Sequence, residues 1–220
     1  MSPPRLKPKK KKKAPEPQCR YKDYLGKPTT KLLVVGLDAA LRNFGVVCLD
    51  QKGAVEHSHT YVNKAPTKSE SRKRSSDYGN VIHPIHHLIS NYVLYHKYQV
   101  VVAREDYAFS ASSASDATLK ELGGILYWEL AKIPGVELRY IPIQSAKKWA
   151  TGNGNAQKED VIKGVRDNFG FSAGSEHEAD AFAVASLTLA LMKPGLYKKT
   201  EKQKQALVGL RDHPLTSVVL

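Results

Sequence analysis

Apolar runs and their spacing divide the chain into alternating strands and helices from Lys31 onward. Leu32-Leu-Val-Val-Gly-Leu37 is an unbroken apolar run closed by Asp38, as in a strand buried on both faces. Phe44-Gly-Val-Val-Cys-Leu49 repeats the pattern. Ala54 to Val62 alternates in part, with Asp50-Gln-Lys-Gly53 as the turn between them. Together these predict three antiparallel strands in a meander. Ile82, Ile85, Ile89 and Val93 recur at helical spacing and predict a helix over 80–98. Pro84 then falls in its first turns, where proline is tolerated. Gln99-Val-Val-Val-Ala103 predicts a second buried strand, closed by Arg104-Glu105-Asp106. A helix capped by Ser115-Asp116 runs to about Lys132, with Leu119, Leu122, Leu126 and Leu130 along one stripe. That stripe is a candidate dimer face. Val136 to Ile141 predicts a further strand, and Thr151-Gly-Asn-Gly-Asn155 a tight turn. A helix over 157–168 and a strongly apolar one over 176–192 follow.

The order βββαβαβα predicts a mixed sheet with helices on both faces. A right-handed crossover through the first helix brings the 99–105 strand parallel to the 32–38 strand. Polar stretches set the boundaries. Residues 1–30 hold six of the chain's 12 prolines and few apolar positions, so they are expected to be disordered. Residues 63–79 are Ser-rich and basic and predict a mobile loop. Residues 193–220 are weakly patterned and form an extension to a 31–192 domain.

Charge adds a partner. The net charge is +13, and residues 1–30 carry ten Lys/Arg against two acids. Basicity concentrated in a tail points to a polyanion, nucleic acid foremost. Pro8 followed by Lys9 to Lys13 also resembles a nuclear import signal, a pattern that Lys-rich runs match easily. No apolar run is long enough for a membrane span, and the basic start leads into no apolar stretch of a secretory signal. Cys19 and Cys48 have no metal-type spacing, which fits a reducing cytoplasm.

The acids carry the candidate chemistry. Asp38 and Glu105 end two strands expected to be parallel neighbours, so both belong to one sheet edge. His177 and Asp180 are three apart at a helix start and share a face. Asp180, embedded in Ala179-Asp-Ala-Phe-Ala, needs a partner or a metal. Four such ligands suit one or two Mg²⁺ or Mn²⁺ ions. Two ions would activate a water and stabilise the leaving oxygen in phosphodiester hydrolysis. Gly152-x-Gly154 before a helix is a candidate seat for DNA phosphate. His83 and His87 are also i, i+4, but no third ligand accompanies them.

Four stretches together resemble RuvC-type Holliday junction resolvases of the RNase H-like superfamily. They are Val35-Gly-Leu-Asp38-Ala-Ala with Phe44-Gly45, Val102-Ala-Arg-Glu105, Lys147 to Lys158 around the Gly-x-Gly turn, and His177-Glu-Ala-Asp180-Ala. The resemblance spans about residues 31–192, in order. It implies an RNase H-like α/β fold, a five-stranded mixed sheet flanked by helices. It implies metal ligation by Asp38, Glu105, His177 and Asp180, and basic roles for Lys147 and Lys158 near the scissile phosphate. Lys148, adjacent to Lys147, is a further DNA contact. Tyr107 and Phe109 flank the position where the family puts an aromatic wedge, in a form closer to phage-encoded relatives. The implied activity is Mg²⁺- or Mn²⁺-dependent cutting of branched DNA by a homodimer. The basic tail and the 63–79 loop depart from the bacterial pattern. A related debranching or RNA·DNA-cutting nuclease, and a non-catalytic junction-binding protein, are the alternatives.

Overall fold

The computed structural model describes residues 31–63, 74–106, 114–211 and 218–219. The tail 1–30, residues 64–73 of the basic loop, and both Tyr107 and Phe109 lie outside the described residues. The elements are β1 (Leu32–Asp38), β2 (Asn43–Asp50), β3 (Val55–Val62), α1 (Arg74–Leu94), β4 (Gln99–Asp106) and α2 (Ala114–Ala131). They continue as β5 (Val136–Pro142), α3 (Ile143–Thr151), α4 (Lys158–Phe169), α5 (Glu176–Met192), α6 (Glu201–Arg211) and the two-residue β6 (Val218–Val219). The sheet order is β3-β2-β1-β4-β5-β6. The meander β1–β3 is antiparallel, β4 and β5 add in parallel, and β6 pairs antiparallel to β5. The expected five-stranded mixed sheet is therefore present, with β6 as a short rung beyond it.

Strand periodicity assigns each side chain to a face. Leu32 and Val34 of β1, with Val101 and Ala103 of β4, lie in a core beneath α3, α4, α5 and α6. Leu33, Val35 and Leu37, with Val100 and Val102, lie in a second core beneath α1 and α2. Both faces are covered, which is why β1 and β4 read as continuous apolar runs rather than alternating ones.

Four expectations change. Helix α1 starts at Arg74, not 80, so residues 74–79 are helical and Pro84 sits in the helix interior. Proline there lacks an N–H for the ladder; Val81, Ile82, Ile85 and Ile89, all buried against the sheet, hold the helix across the defect. The leucine stripe of α2 is not a dimer face. Leu122, Leu126 and Leu130 are buried in the second core, and the exposed apolar residues of α2 are Ile125 and Trp128 on its other side. Helix α3 was not expected. It is a nine-residue helix that follows β5 directly, starting after Pro142, and buries only Ala146, Trp149 and Ala150. The 193–220 extension contains a packed helix: Ala206, Leu207 and Leu210 of α6 join the first core beside Trp149 and Ala150.

Helix α5 is the hub of the first core. It is buried on all sides from Ala181 to Ala190. Its alanines allow close approach to the sheet, and two glycines below complete the fit. A Cβ on Gly36 would stand 2.0 Å from the Ala181 carbonyl oxygen and 2.7 Å from the Ala185 nitrogen. A Cβ on Gly45 would stand 2.1 Å from the His177 carbonyl oxygen. Backbone cannot yield as a flexible side chain can, so any larger residue must lift the helix. Gly36→Ala and Gly45→Ala should each cost about 3 kcal/mol or more, the upper range of overpacking. Urea unfolding of each variant checks this; a loss under about 1 kcal/mol would mean that the helix shifts freely.

Candidate active site

The register of β1 and β4 sets the first half of the site. Leu37 pairs with Arg104, so Asp38 and Glu105 follow side by side at the carboxyl ends of two parallel strands. Their parity matches Val34 and Ala103, which directs both carboxylates to the α5 face of the sheet. Helix α5 supplies the second half. Ser175 caps its start by accepting from the Glu178 N–H at 3.1 Å. Gly45 lets the first turn lie on β2, and His177 then meets Asp38, Nδ1 to Oδ2 at 2.7 Å. Asp180 is one turn on, beside the same group.

Charge binds the cluster together. Burial, with the charges of Asp38 and Asp180, pushes the Glu105 carboxyl up to about 8. Burial and the charge of Asp38 push Asp180 up to about 6. The hydrogen bond and charge of Asp38 raise His177, favouring imidazolium. Lys147 opposes the rise at both Glu105 and Asp180, and Lys158 opposes it at Asp180. Asp180 thus feels Asp38, Lys147, Lys158 and His177, and Glu105 feels Asp38, Asp180 and Lys147, which links all six residues singled out in the sequence as candidate catalytic groups. They come from β1, β4, α3, α4 and α5.

The two lysines are held differently. Lys147 is half-buried, and its Nζ donates to the Ala156 carbonyl at 3.0 Å. Lys158 is exposed and pairs with Glu176 at 2.6 Å. Glu176 and Glu178 were not singled out from the sequence. Glu178 accepts from Ser58 at 2.6 Å and Thr60 at 3.2 Å, tying the start of α5 to β3. The spacing Ser175-x-x-Glu178 is a readable capping-box signal; its use across the sheet is tertiary.

The Gly152–Gly154 turn differs from expectation. Gly152, at φ +82°, is the left-handed cap that ends α3. Helix α4 starts only at Lys158, and its first turn holds Glu159 and Asp160. Asp160 Oδ2 accepts from the Gln157 N–H at 3.3 Å, so this helix end is served by its own acids and disfavours an anion. Lys148, half-buried, lies in the last turn of α3 beside Gly152.

The donor set fits a divalent cation. Burial and mutual repulsion raise the proton affinity of Glu105 and Asp180, so the cluster favours added positive charge, and oxygen donors suit Mg²⁺ or Mn²⁺. Among the described residues no three His, Cys, Asp or Glu side chains converge as a closed ligand set. His177 instead engages Asp38 directly.

No family model matches the chain, and no curated protein matches it in sequence. Solved structures do match. Thermus thermophilus RuvC is similar at 19% identity with a TM-score of 0.53, over 73% of this chain and 96% of that one. The same protein in complex with Holliday junction substrate gives 21% identity, 70% and 90% coverage and a TM-score of 0.49. The yeast mitochondrial Holliday junction resolvase Ydc2 gives 13%, 81% of each chain and 0.39. The first of these shows the fold: the chain has the RuvC-type, RNase H-like architecture.

The raised groups make stability depend on pH. For Glu105, Asp180 and His177 alike the folded state holds its proton more tightly than the unfolded chain. Their stabilising contribution is complete below the unfolded values and is lost as pH rises through the folded ones. In chelator, the melting temperature should fall between about pH 5 and pH 8, with Glu105 contributing the upper part of the decline. Glu105→Gln should flatten that part, and Mn²⁺ should restore stability at pH 8. An identical pH profile for Glu105→Gln would separate Glu105 from the cluster.

Proposed function

We propose that the chain is a metal-dependent, structure-selective endonuclease that resolves Holliday junctions and other branched DNA as a homodimer. The observation that carries this reading is the Asp38–His177 contact beside Glu105 and Asp180, whose carboxyls feel the charge of Asp38 and of Lys147, with Lys158 also acting on Asp180. The fold shared with RuvC and the four sequence stretches in family order support it.

Asp38, Glu105 and Asp180 would hold Mg²⁺ or Mn²⁺, with His177 as the nitrogen donor. When bound, the metal supplies an activated water and neutralises charge on the scissile phosphate. Lys147, positioned between α3 and the 152–156 turn, adds a fixed positive charge facing Glu105 and Asp180. Lys158 reaches the same phosphate once it leaves Glu176, and its charge favours the oxyanion that forms there. The exposed pair Ile125 and Trp128 on α2 supports a homodimer formed through that face of the helix.

Asp38→Asn, Glu105→Gln or Asp180→Asn should each lower cleavage by more than the ~10–100-fold typical of losing an outer-sphere partner. Junction binding in chelator should persist. The assay compares four-way junction, flap, duplex and RNA·DNA hybrid, with and without divalent ions. Hybrid cutting without junction cutting would replace this reading with the related nuclease, and binding without metal-dependent cutting would leave a junction-binding protein.

His177 generates a finer expectation. Imidazole favours Mn²⁺ over Mg²⁺ more than a carboxylate does. His177→Asp should therefore move the Mn²⁺/Mg²⁺ activity ratio toward Mg²⁺; an unmoved ratio removes His177 from the ligands.

A further inference from the structure

Residues 193–211 carry Lys193, Lys198, Lys199, Lys202, Lys204 and Arg211 against Glu201 alone. Charge of that kind is ordinarily a solvated face, so its placement decides the matter. Helix α6 is held firmly on α3. Ala206, Leu207 and Leu210 are buried beside Trp149 and Ala150. Gln203, itself only 4% exposed, donates from Nε2 to the Trp149 carbonyl at 3.0 Å. That carbonyl lies in the last turn of α3, where helical partners run out, so the extension completes the helix end. Glu201, the sole acid, is paired with Lys204.

Lys202 ties this surface to the turn that ends α3. A Cβ on Gly152 would lie 3.2 Å from Lys202 Cδ and 3.5 Å from its Cβ, so the lysine stem lies over the Gly152 turn. That turn begins the link between the helices bearing Lys147 and Lys158. Lys198 and Lys202 are exposed, and Lys199 is half-exposed. Lys202 is mounted on this docked helix, and Lys198 and Lys199 lie in the segment leading into it, so the helix-borne charge needs little further ordering when a polyanion arrives.

We infer that Lys198, Lys199 and Lys202 form a basic shelf that contacts the backbone phosphates of a duplex arm leaving the site. The inference rests on the branched-DNA reading above. The shelf carries no base-reading group, so it adds affinity to duplex and junction alike and leaves the cutting step unaffected.

The test is a salt titration of binding by the full chain in chelator, on a short duplex and a four-way junction. A K198Q/K199Q/K202Q variant is compared with wild type and with the matching Lys→Arg variant. The slope of log K against log salt should become shallower by ~0.9 per lost contact on duplex, about 2–3 in all, and Arg should restore it. Melting temperature should not move; where it does, K202Q alone should still reduce the slope by ~0.9. An unchanged slope overturns the shelf. So does loss of binding to phosphatidylserine vesicles without any change on DNA, which would identify a membrane surface instead. Junction cleavage by wild type is scored on the same DNA. Intact cleavage beside an unchanged slope overturns the shelf alone. Absent cleavage beside a shallower slope overturns the nuclease reading alone and leaves a DNA-binding surface.

Discussion

Helix α5 can bring His177 and Asp180 to the ends of β1 and β4 only because two backbone positions beneath it lack a side chain. Gly36 and Gly45 both sit closer to the α5 backbone than any Cβ could. The first admits the middle of the helix and the second admits its first turn. The helix meets this with alanine at 179, 181, 183 and 185, and so lies low over the sheet. The Asp38–His177 contact follows from that height. A helix raised by the width of one methyl group would part the two residues and separate Asp180 from Glu105.

The site so formed is electrostatically unfinished by its carboxylates alone. Asp38, Glu105 and Asp180 repel one another where burial already disfavours charge. Lys147 and Lys158 offset part of that repulsion from around the cluster, and His177 shares a hydrogen bond with Asp38. Each also has a local anchor: the Ala156 carbonyl for Lys147, Glu176 for Lys158, Asp38 for His177. The anchors keep positive charge near the acids without drawing it between them.

Around this centre the chain is tied by polar groups that serve ends of elements. Glu178 links the start of α5 to Ser58 and Thr60 of β3, and Gln203 links α6 to the end of α3. Trp149 donates to the buried Ser186 hydroxyl at 2.9 Å and joins α3 to α5. The Trp149 and Gln203 ties satisfy groups that would otherwise be buried unpaired. Together they make α3, α5 and α6 one body, on which Lys147, Asp180 and Lys202 keep fixed relations.

Much of this could be read from residues in order. The short apolar runs 32–37, 44–49 and 100–103, rich in Val and Leu and closed by polar or turn residues, read as strands covered on both faces. The parallel β1–β4 pairing followed from crossover handedness, and with it the shared edge of Asp38 and Glu105. The spacing of His177 and Asp180 on one helix face was equally local. What could not be read depends on contacts between distant segments. Helix α3 shows its helical spacing only at Ala146, Trp149 and Ala150, over nine residues that follow directly on β5. The start of α1 lies in a polar run whose recorded tie, Tyr78 to Glu121 of α2, is tertiary. The leucines of α2 are apolar whether they meet a partner or the sheet. The depth at which α5 lies, the partners of Glu176 and Glu178, and the seat of α6 on Trp149 were decided by tertiary structure. Sequence pattern reports which residues must leave water, and packing alone decides what each of them meets there.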